Sequence, residues 1–359
     1  MSARKSKSLT KNSLASTPEF THVSLTAVSP KRFGLSAKVK KVALKTNQDL
    51  IEDASFIKSA SPSKKKYIFA ALAPKYTIDL PNSYQAMEGI KKAEEELKTL
   101  GVSVEKFSFD DGNQKSFLAQ IKKVIAKNYD GIIFPPLFTN ETEHLLKHCN
   151  SKKIPYIFYD GNMNEAKALA YIGQDDFKSG YLAGKLAAYL LQPNESALCV
   201  CIHTGENPPL YTKSKLREDG FQKILEDEMG FKLYSFEHFI SEGDETKPLE
   251  KKILQELTYH PDIKIIFATN SEVHKIAAII EKIKIKGLKI IGYDLIDKNI
   301  DYLKKEIIHF LISQEPYQQG YLSVINLFNH LALNRKIEKE NFVPITIVMK
   351  ENIDYCRAR

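Results

Sequence analysis

A chain of 359 residues, 43% hydrophobic and 27% charged, has ordinary globular composition and enough length for two domains. No stretch approaches the ~18 apolar residues of a membrane span. The four cysteines, Cys149, Cys199, Cys201 and Cys356, are too few and too scattered for a disulfide framework or a zinc site.

The net charge of +8 is unevenly distributed. Positions 1–66 hold 14 Lys and Arg against 4 Asp and Glu, and positions 67–359 hold 38 against 40. A basic excess confined to one end points to an arm or small domain that meets a polyanion, most often nucleic acid; a solvated leader is the plainer alternative. The opening MSARKSKSLTKNSLASTPEF is basic but lacks the apolar core of a secretion signal, so a cytosolic location is expected. Residues 61–66, SPSKKK, read as a linker after a first segment of residues 1–60.

From residue 67 strands and helices alternate. YIFAALAP (67–74) reads as a strand, and residues 83–101 as an amphipathic helix with Ala86, Ile90 and Ala93 on one face and Gly101 as its stop. Strand VSVEKFSFD, helix NQKSFLAQIKKVIAKN, strand GIIFPPL, helix ETEHLLKHCNSK and strand IPYIFYD follow. The pattern then restarts with helix SGYLAGKLAAYLL and strand ALCVCIH, whose Cys199 and Cys201 share a face and read as buried thiols. It continues through helix SKLREDGFQKILEDEM, strand KLYSFEHF, helix PLEKKILQELTYH, strand IKIIFATN, helix EVHKIAAIIEKIKIKG and strand KIIGYDL. Such alternation predicts βαβ units, and two similar halves predict two α/β lobes with doubly wound parallel sheets and a cleft between them. No internal repeat is evident in the sequence. The expected lobes are residues 67–170 with 315–335, and 171–314 with 336–359.

Open parallel sheets bind ligands beyond the C-terminal ends of their strands. Four apolar runs here end on strong hydrogen-bonding residues: Asp160, Asn270, Asp294 and Gln314. One such residue carries no information, since an Asp after a strand is often only a helix cap; four suggest a polar cleft. Two carboxylates, an amide pair and a nearby cation suit a polyhydroxylated ligand.

The segments YIGQDDFKSGYLAGKLAAYLL (171–191), KLREDGF (215–221), IIFATNSEV (265–273), KIIGYDL and LISQEPYQQGYLSV (311–324) carry a resemblance. Taken in order, they resemble the ligand domain of LacI/GalR-type regulators and the related type I periplasmic sugar-binding proteins, over about residues 64–350. The resemblance implies a two-lobed type I periplasmic-binding-protein-like fold and a sugar ligand in the cleft. It implies that Asp160, Asn270 and Asp294 bond sugar hydroxyls and that Gln314 touches ligand at a lobe crossing. It also implies a ligand-binding cation at Lys215, where Arg is more usual, with Arg217 as the alternative cation or a buried structural Arg. Asn82, Ser83, Tyr84 and Phe138 face the cleft by analogy, an aromatic serving as stacking platform in a chain without Trp.

Regulators of that family begin with a helix-turn-helix. VSLTAVS (23–29) resembles its turn and recognition helix and LSAKVKKVALKT (35–46) its third helix. LASTPEFTH, however, is not an amphipathic first helix, and Pro30 and Gly34 interrupt the recognition helix. The segment reads as a small helical DNA-binding domain that is divergent or degenerate, with Thr26, Ser29, Lys31 and Arg32 as candidate DNA contacts. His144 and His148 with Glu143 and Cys149 lack a metal motif, and GxSxG, Walker A and GxGxxG patterns are absent. The expectation is a dimeric, sugar-responsive transcription regulator that is not an enzyme and needs no cofactor or metal. The alternative is a stand-alone sugar-binding protein that does not touch DNA.

Overall fold

The computed structural model describes residues 65–75, 81–110, 112–163, 166–204, 208–240 and 246–357. Expectations for residues 1–60, including Thr26, Ser29, Lys31 and Arg32, lie outside them.

The first lobe is a six-stranded sheet built on β1 (Tyr67–Pro74), β2 (Val102–Phe109), β3 (Gly131–Phe134), β4 (Tyr156–Tyr159), β5 (Ala170–Gly173) and β11 (Glu340–Phe342). Their order is β11-β5-β4-β3-β1-β2, and every pairing is parallel. Alternate residues of β1 feed opposite faces. Phe69, Ala71 and Ala73 pack with Ala86, Ile90 and Ala93 of α1 (Pro81–Leu97) and with α9 (Pro316–Leu333). Ala70 and Leu72 pack with Phe117 and Ile121 of α2 (Gln114–Ile125) and Leu145 of α3 (Thr139–Lys152). Burying a large apolar side chain contributes about 1.5–3 kcal/mol, so the two faces hold the strand ends firmly.

The second lobe repeats the plan with β6 (Ser196–Thr204), β7 (Lys232–Ile240), β8 (Ile263–Ala268), β9 (Lys289–Tyr293), β10 (Phe310–Ser313) and β12 (Thr346–Val348). The order is β12-β10-β9-β8-β6-β7, parallel except for β12 against β10. Ala197 and Cys199 of β6 face Ala183 and Ala187 of α4 (Asp176–Leu190) and Phe221, in α5 (Pro208–Gln222). Leu198, Val200 and Ile202 face α6 (Lys247–Tyr259), α7 (Val273–Ile283) and α8 (Asp297–Lys304). The helical path of α5 continues in a π-helical turn, Lys223–Glu228. Among the described residues no helix is long and apolar enough to cross a membrane.

The lobe limits differ from the sequence expectation at two places. β5 joins the first sheet, so the crossing falls after Gly173 rather than after residue 170. β11 also lies in the first sheet, whereas the sequence reading puts residues 336–359 in the second lobe. Such short strands show no period.

The sequence also holds a sparse repeat, confined to a few positions. Ile172, Gln174, Gly180, Tyr181 and Leu182 recur in the same spacing as Ile312, Gln314, Gly320, Tyr321 and Leu322. Both copies start in the last parallel strand before a lobe crossing, β5 or β10, and run into the helix beyond it, α4 or α9. The repeated glycine is a contact point: a Cβ on Gly180 would lie 1.9 Å from the Arg217 carbonyl oxygen, and one on Gly320 1.9 Å from that of Ala86. Each partner helix answers with its own glycine, Gly220 against Phe177 and Gly89 against Tyr317, both at 2.0 Å.

Candidate functional site

The lobe repeat brings two carboxylates to equivalent places. β4 ends on Tyr159 and β9 on Tyr293, and Asp160 and Asp294 follow directly. Asp160 donates its backbone N–H to the Ile172 carbonyl at 3.1 Å, and Asp294 donates its own to that of Ile312 at 3.0 Å. Both take left-handed φ, 62° and 72°, which short polar side chains tolerate better than most. The chain thus turns sharply off each strand, and each lobe contributes one Asp at the junction.

A polar network joins them. Lys213 Nζ, from α5 of the second lobe, donates to Asp160 Oδ1 of the first at 2.6 Å and to Gln314 Oε1 at 3.0 Å. Arg217 Nη2 donates to the same Gln314 oxygen at 2.5 Å, while Gln314 Nε2 donates to Asp294 Oδ1 at 2.8 Å. The two cations on one side and the carboxylate on the other fix which way the Gln314 amide points. Behind it, Gln319 Nε2 donates to the Gln314 carbonyl at 2.7 Å, and Gln319 Oε1 accepts the Asp160 N–H at 2.8 Å. Every link from Asp160 to Asp294 is therefore a hydrogen bond.

Arg217 anchors the second lobe's half. It is 2% exposed, pairs with Asp176 Oδ1 through Nε at 2.8 Å and Nη2 at 2.7 Å, and donates from Nη1 to the Thr269 carbonyl at 2.9 Å. Its guanidinium lies 3.9 Å from the centre of the Tyr293 ring, whose hydroxyl bonds Ser179 Oγ at 2.7 Å. A buried charge survives only when paired and hydrogen-bonded in this way.

The two carboxylates titrate in opposite directions. Burial alone would raise Asp160, but the charge and hydrogen bond of Lys213, with help from Arg217, outweigh it and hold Asp160 below the usual carboxylate value. Burial dominates at Asp294, where Arg217 and the Gln314 hydrogen bond compensate only in part, and its pKa is raised. The site therefore holds one carboxylate in direct contact with a cation and one that feels Arg217 at a distance and is hydrogen-bonded by the Gln314 amide.

The structure places the remaining expected residues unevenly. Asn270 Nδ2 donates to the Ile202 carbonyl at 2.6 Å and its Oδ1 accepts from Glu272 N–H at 3.2 Å, so this amide ties the ends of β6 and β8 together. Phe138 is buried in the first-lobe core with its ring 5.7 Å from that of Phe117. Asn82, Ser83 and Tyr84 fall in the first turn of α1, with side chains outside the described residues.

Lys215 is the clear correction. It points away from the network and pairs with Glu218 at 3.2 Å and Asp219 at 3.0 Å, its side chain half exposed. The cation that reaches Asp160 is Lys213. On a helix, residues two apart lie on different faces, so the position cannot be shifted by two without changing which way the side chain points. The repeat contains the signal that finds it. Lys213 precedes helix glycine Gly220 by the same interval at which Asn82 precedes Gly89. Asp176 and Gln319 also escape the strand-end reading, because neither follows an apolar run.

With this geometry in hand, comparison with known proteins gives the family. A family model for the periplasmic binding protein domain matches residues 78–336. The chain belongs to that family. Two sheets of doubly wound strands joined by crossings are the type I periplasmic-binding-protein fold. Relatives within reach include the xylose/arabinose-binding protein XylF of Sulfolobus acidocaldarius, 27% identical over 172 residues. That match covers 45% of this chain and 40% of XylF, so the chain spans less than half the length of this relative. The ribose import binding protein RbsB of Bacillus subtilis is 21% identical over 298 residues, 83% of this chain and 92% of RbsB. Among solved structures, a Bacteroides fragilis protein assigned as a LacI transcriptional regulator is 28% identical, with a TM-score of 0.68 over 81% of this chain and 99% of its own. GanP, a glucose-galactose binding protein of Geobacillus stearothermophilus, shares the fold at 22% identity and a TM-score of 0.67, over 81% and 99%.

Proposed function

We propose that this periplasmic-binding-protein domain binds a small neutral sugar, of pentose class, between its lobes. The observation that carries this reading is the opposed pair Asp160 and Asp294, one at an equivalent strand end of each lobe, joined through Lys213 and Gln314. Carboxylates accept from sugar hydroxyls, Lys213 donates to a sugar oxygen, and Gln314 does both. A ligand touching both lobes would favour their approach by its differential affinity for that arrangement. Relatives named for ribose, xylose and arabinose support the pentose class. The same groups serve binding without a reaction, and we read the domain as a binding module rather than an enzyme.

The first test is a melting series of the full chain with D-ribose, L-arabinose and D-xylose. Binding to the folded state raises the melting temperature by mass action, by about 2.7 kcal/mol of stability at a hundredfold excess over Kd. A rise with at least one pentose that disappears in Asp294→Ala supports the site. No rise with any of the three overturns the pentose reading, and turnover of the sugar would revive an enzyme.

A second level of function is favoured by the basic character of positions 1–66 and by the likeness to the LacI-assigned protein. On this reading the chain is a cytosolic, dimeric regulator whose DNA contact responds to the sugar. The competing reading is a binding protein that never meets DNA. Measured DNA affinity should fall steeply with salt if the basic segment neutralises phosphates, with a log–log slope near −0.9 per contact. Affinity that is absent at about 50 mM salt, where such contacts are strong, would decide for the binding protein.

A further inference from the structure

The six strands of the first lobe start on one face, because every pairing is parallel and the starts align. Tyr67 stands beside Val102, Ile157 beside Ala170 and Tyr171 beside Glu340. Residues 65–66, 98–101, 126–130, 153–155, 166–169 and 334–339 lead into those strands, and they are basic. Lys65, Lys66, Lys127 and Lys153 precede β1, β3 and β4. Lys98, Lys167, Arg335, Lys336 and Lys339 precede β2, β5 and β11. Among the described residues only Asp130 and Glu338 stand against them in these loops, and the Asp130 carboxylate accepts the Ile68 N–H at 2.8 Å. We propose that this face of the first lobe is a binding surface for duplex nucleic acid, a contact additional to the basic positions 1–66.

Composition does not produce this excess, since positions 67–359 hold 38 Lys and Arg against 40 Asp and Glu. Nor does the helix dipole account for it. In a parallel sheet the connecting helices run back and end at the strand starts, and cations near helix C-termini are stabilising without any partner. The second lobe is the control, because its helices end at the equivalent face. Its strand-start loops, with the turn after β12, hold Lys284, Lys286, Lys305 and Lys350 against Glu195, Asp262, Glu306 and Glu351, an even balance. The last helical turns leave the contrast in place. Glu94, Glu95 and Glu96 of α1 are offset by Lys122 and Lys123 of α2 and Lys152 of α3. At the other end of the first-lobe sheet Asp110, Asp160 and Asp175 follow β2, β4 and β5. The lobe is polarised, basic where its strands start and acidic where they end.

The shape of the array favours a linear polyanion. Five inter-strand spacings of about 4.8 Å set the loops along about 24 Å, the axial length of about seven base pairs. A duplex carries a phosphate charge about every 1.7 Å of that length, so each basic loop has one within reach of a lysine stem. An anionic membrane is the rival surface, and proteins that lie on one usually add apolar side chains that enter the bilayer beside the basic ones. In the first lobe Ile68 is the only large hydrophobic side chain that is exposed among the described residues. The contact carries no sequence preference, because phosphate contacts position a protein without reading bases. It rests on the DNA reading above for its partner and on the placement of charge for its location.

Lys98, Lys153, Lys167 and Lys336 come from four different loops, are exposed, and pair with no carboxylate among the described residues. The test variant of the full chain combines Lys98→Gln, Lys153→Gln, Lys167→Gln and Lys336→Gln. Its matched control combines Lys284→Gln, Lys286→Gln, Lys305→Gln and Lys350→Gln, which removes the same charge from the second lobe. A third variant, Lys31→Gln with Arg32→Gln, alters the basic segment. Melting curves establish that each is folded. Affinity for a fluorescein-labelled duplex of mixed sequence is then measured from about 50 to 200 mM salt, where each phosphate contact contributes about 0.9 to the log–log slope. The first-lobe variant should have a slope shallower by up to about 3.6, and the second-lobe variant should match wild type. A first-lobe change smaller than one contact, about 0.9, overturns the face. An equal change in the second-lobe variant also overturns it, because net charge is then the cause. Loss confined to Lys31→Gln with Arg32→Gln sinks the face while leaving the basic segment as the DNA contact. Absence of duplex binding by wild type at about 50 mM salt overturns the nucleic-acid surface; capture on phosphatidylserine vesicles that the first-lobe variant loses would then give this face to a membrane.

Discussion

Arg217 and Asp176 are buried together, and their separation has a large expected cost. Replacing Arg217 with Ala leaves Asp176 in the interior without its cation and takes a donor from Gln314. Breaking a buried pair from one side costs about 3–5 kcal/mol, so urea unfolding of Arg217→Ala should show that loss. The pair Arg217→Met with Asp176→Leu should recover part of it, because no charge is left unpaired. The cleft carboxylates make a second residue-scale prediction, in which the signs differ. Asp294 has a raised pKa, so its stabilising contribution is present below the ordinary value near 3.8 and lost as pH rises through the raised one. At pH 7 its charge therefore costs stability. Asp294→Asn, which keeps an acceptor for Gln314 and suits a left-handed backbone, should melt higher than wild type at pH 7. Asp160 has a lowered pKa, so its contribution is present above 3.8 and lost as pH falls through the lowered one. Asp160→Asn should melt lower than wild type at pH 7, and the gap should close in acid. Melting curves at pH 7 and pH 3 check both, and a lower Tm for Asp294→Asn at pH 7 would contradict the burial argument. The strand-end rule puts Asp160, Asp294 and Gln314 in view from the sequence because each ends an apolar run. Lys213 is beyond that rule, since helix residues at a site are selected by face and not by the end of a run.

At the scale of elements, the four helix glycines set how closely α1 meets α9 and α4 meets α5. A Cβ at Gly180 or Gly320 would be 1.9 Å from a backbone oxygen of the facing helix, and a backbone cannot rotate aside as a side chain can. Gly180→Ala and Gly320→Ala should each cost about 1–3 kcal/mol or more by forcing the helices apart. Gly161→Ala, which meets only the Pro136 ring at 3.4 Å, should stay within about 0.5 kcal/mol and serves as the comparison. Denaturant midpoints measure all three, and equal losses would mean that helix approach is not the cause. The alternation of strands and helices is legible in the sequence because long buried strands such as β1 and amphipathic helices such as α1 repeat apolar residues at their own periods. The short strands β5, β11 and β12 have no such period, and their place in the sheets is set by the crossings. The repeat of β5–α4 in β10–α9 is hard to see because only its contact-bearing positions are kept, the glycine and its neighbours, while the intervening surface residues differ.

At the scale of the whole molecule, three chain crossings join the two lobes among the described residues: after β5, after β10, and between β11 and β12. Gln174 touches all three. It lies just past β5, is 3% exposed, and donates from Nε2 to the Ser313 carbonyl at 3.0 Å and toward that of Pro344 at 3.5 Å. Its Oε1 is buried without a hydrogen-bond partner, so the side chain stabilises little for the desolvation it requires. Its contribution is geometric, a tie between the crossings. Its repeat mate Gln314 faces the network of Asp160 and Asp294, while Gln174 binds the crossings to one another. Gln174→Leu removes the unpartnered oxygen together with the donor, so its melting temperature should stay close to wild type. Gln174→Ala adds a cavity and should melt lower, at a cost of about 2 kcal/mol. In both variants the crossings lose their shared tie, and lobe separation, measured between spin labels at Lys122→Cys and Ala278→Cys in protein carrying Cys356→Ser, should broaden. On the proposed pentose reading, affinity should then fall in Gln174→Leu without loss of folding stability, because a wider set of lobe arrangements lowers the fraction competent to bind. An unchanged distance distribution in Gln174→Leu would place control of lobe closure in the cleft network alone.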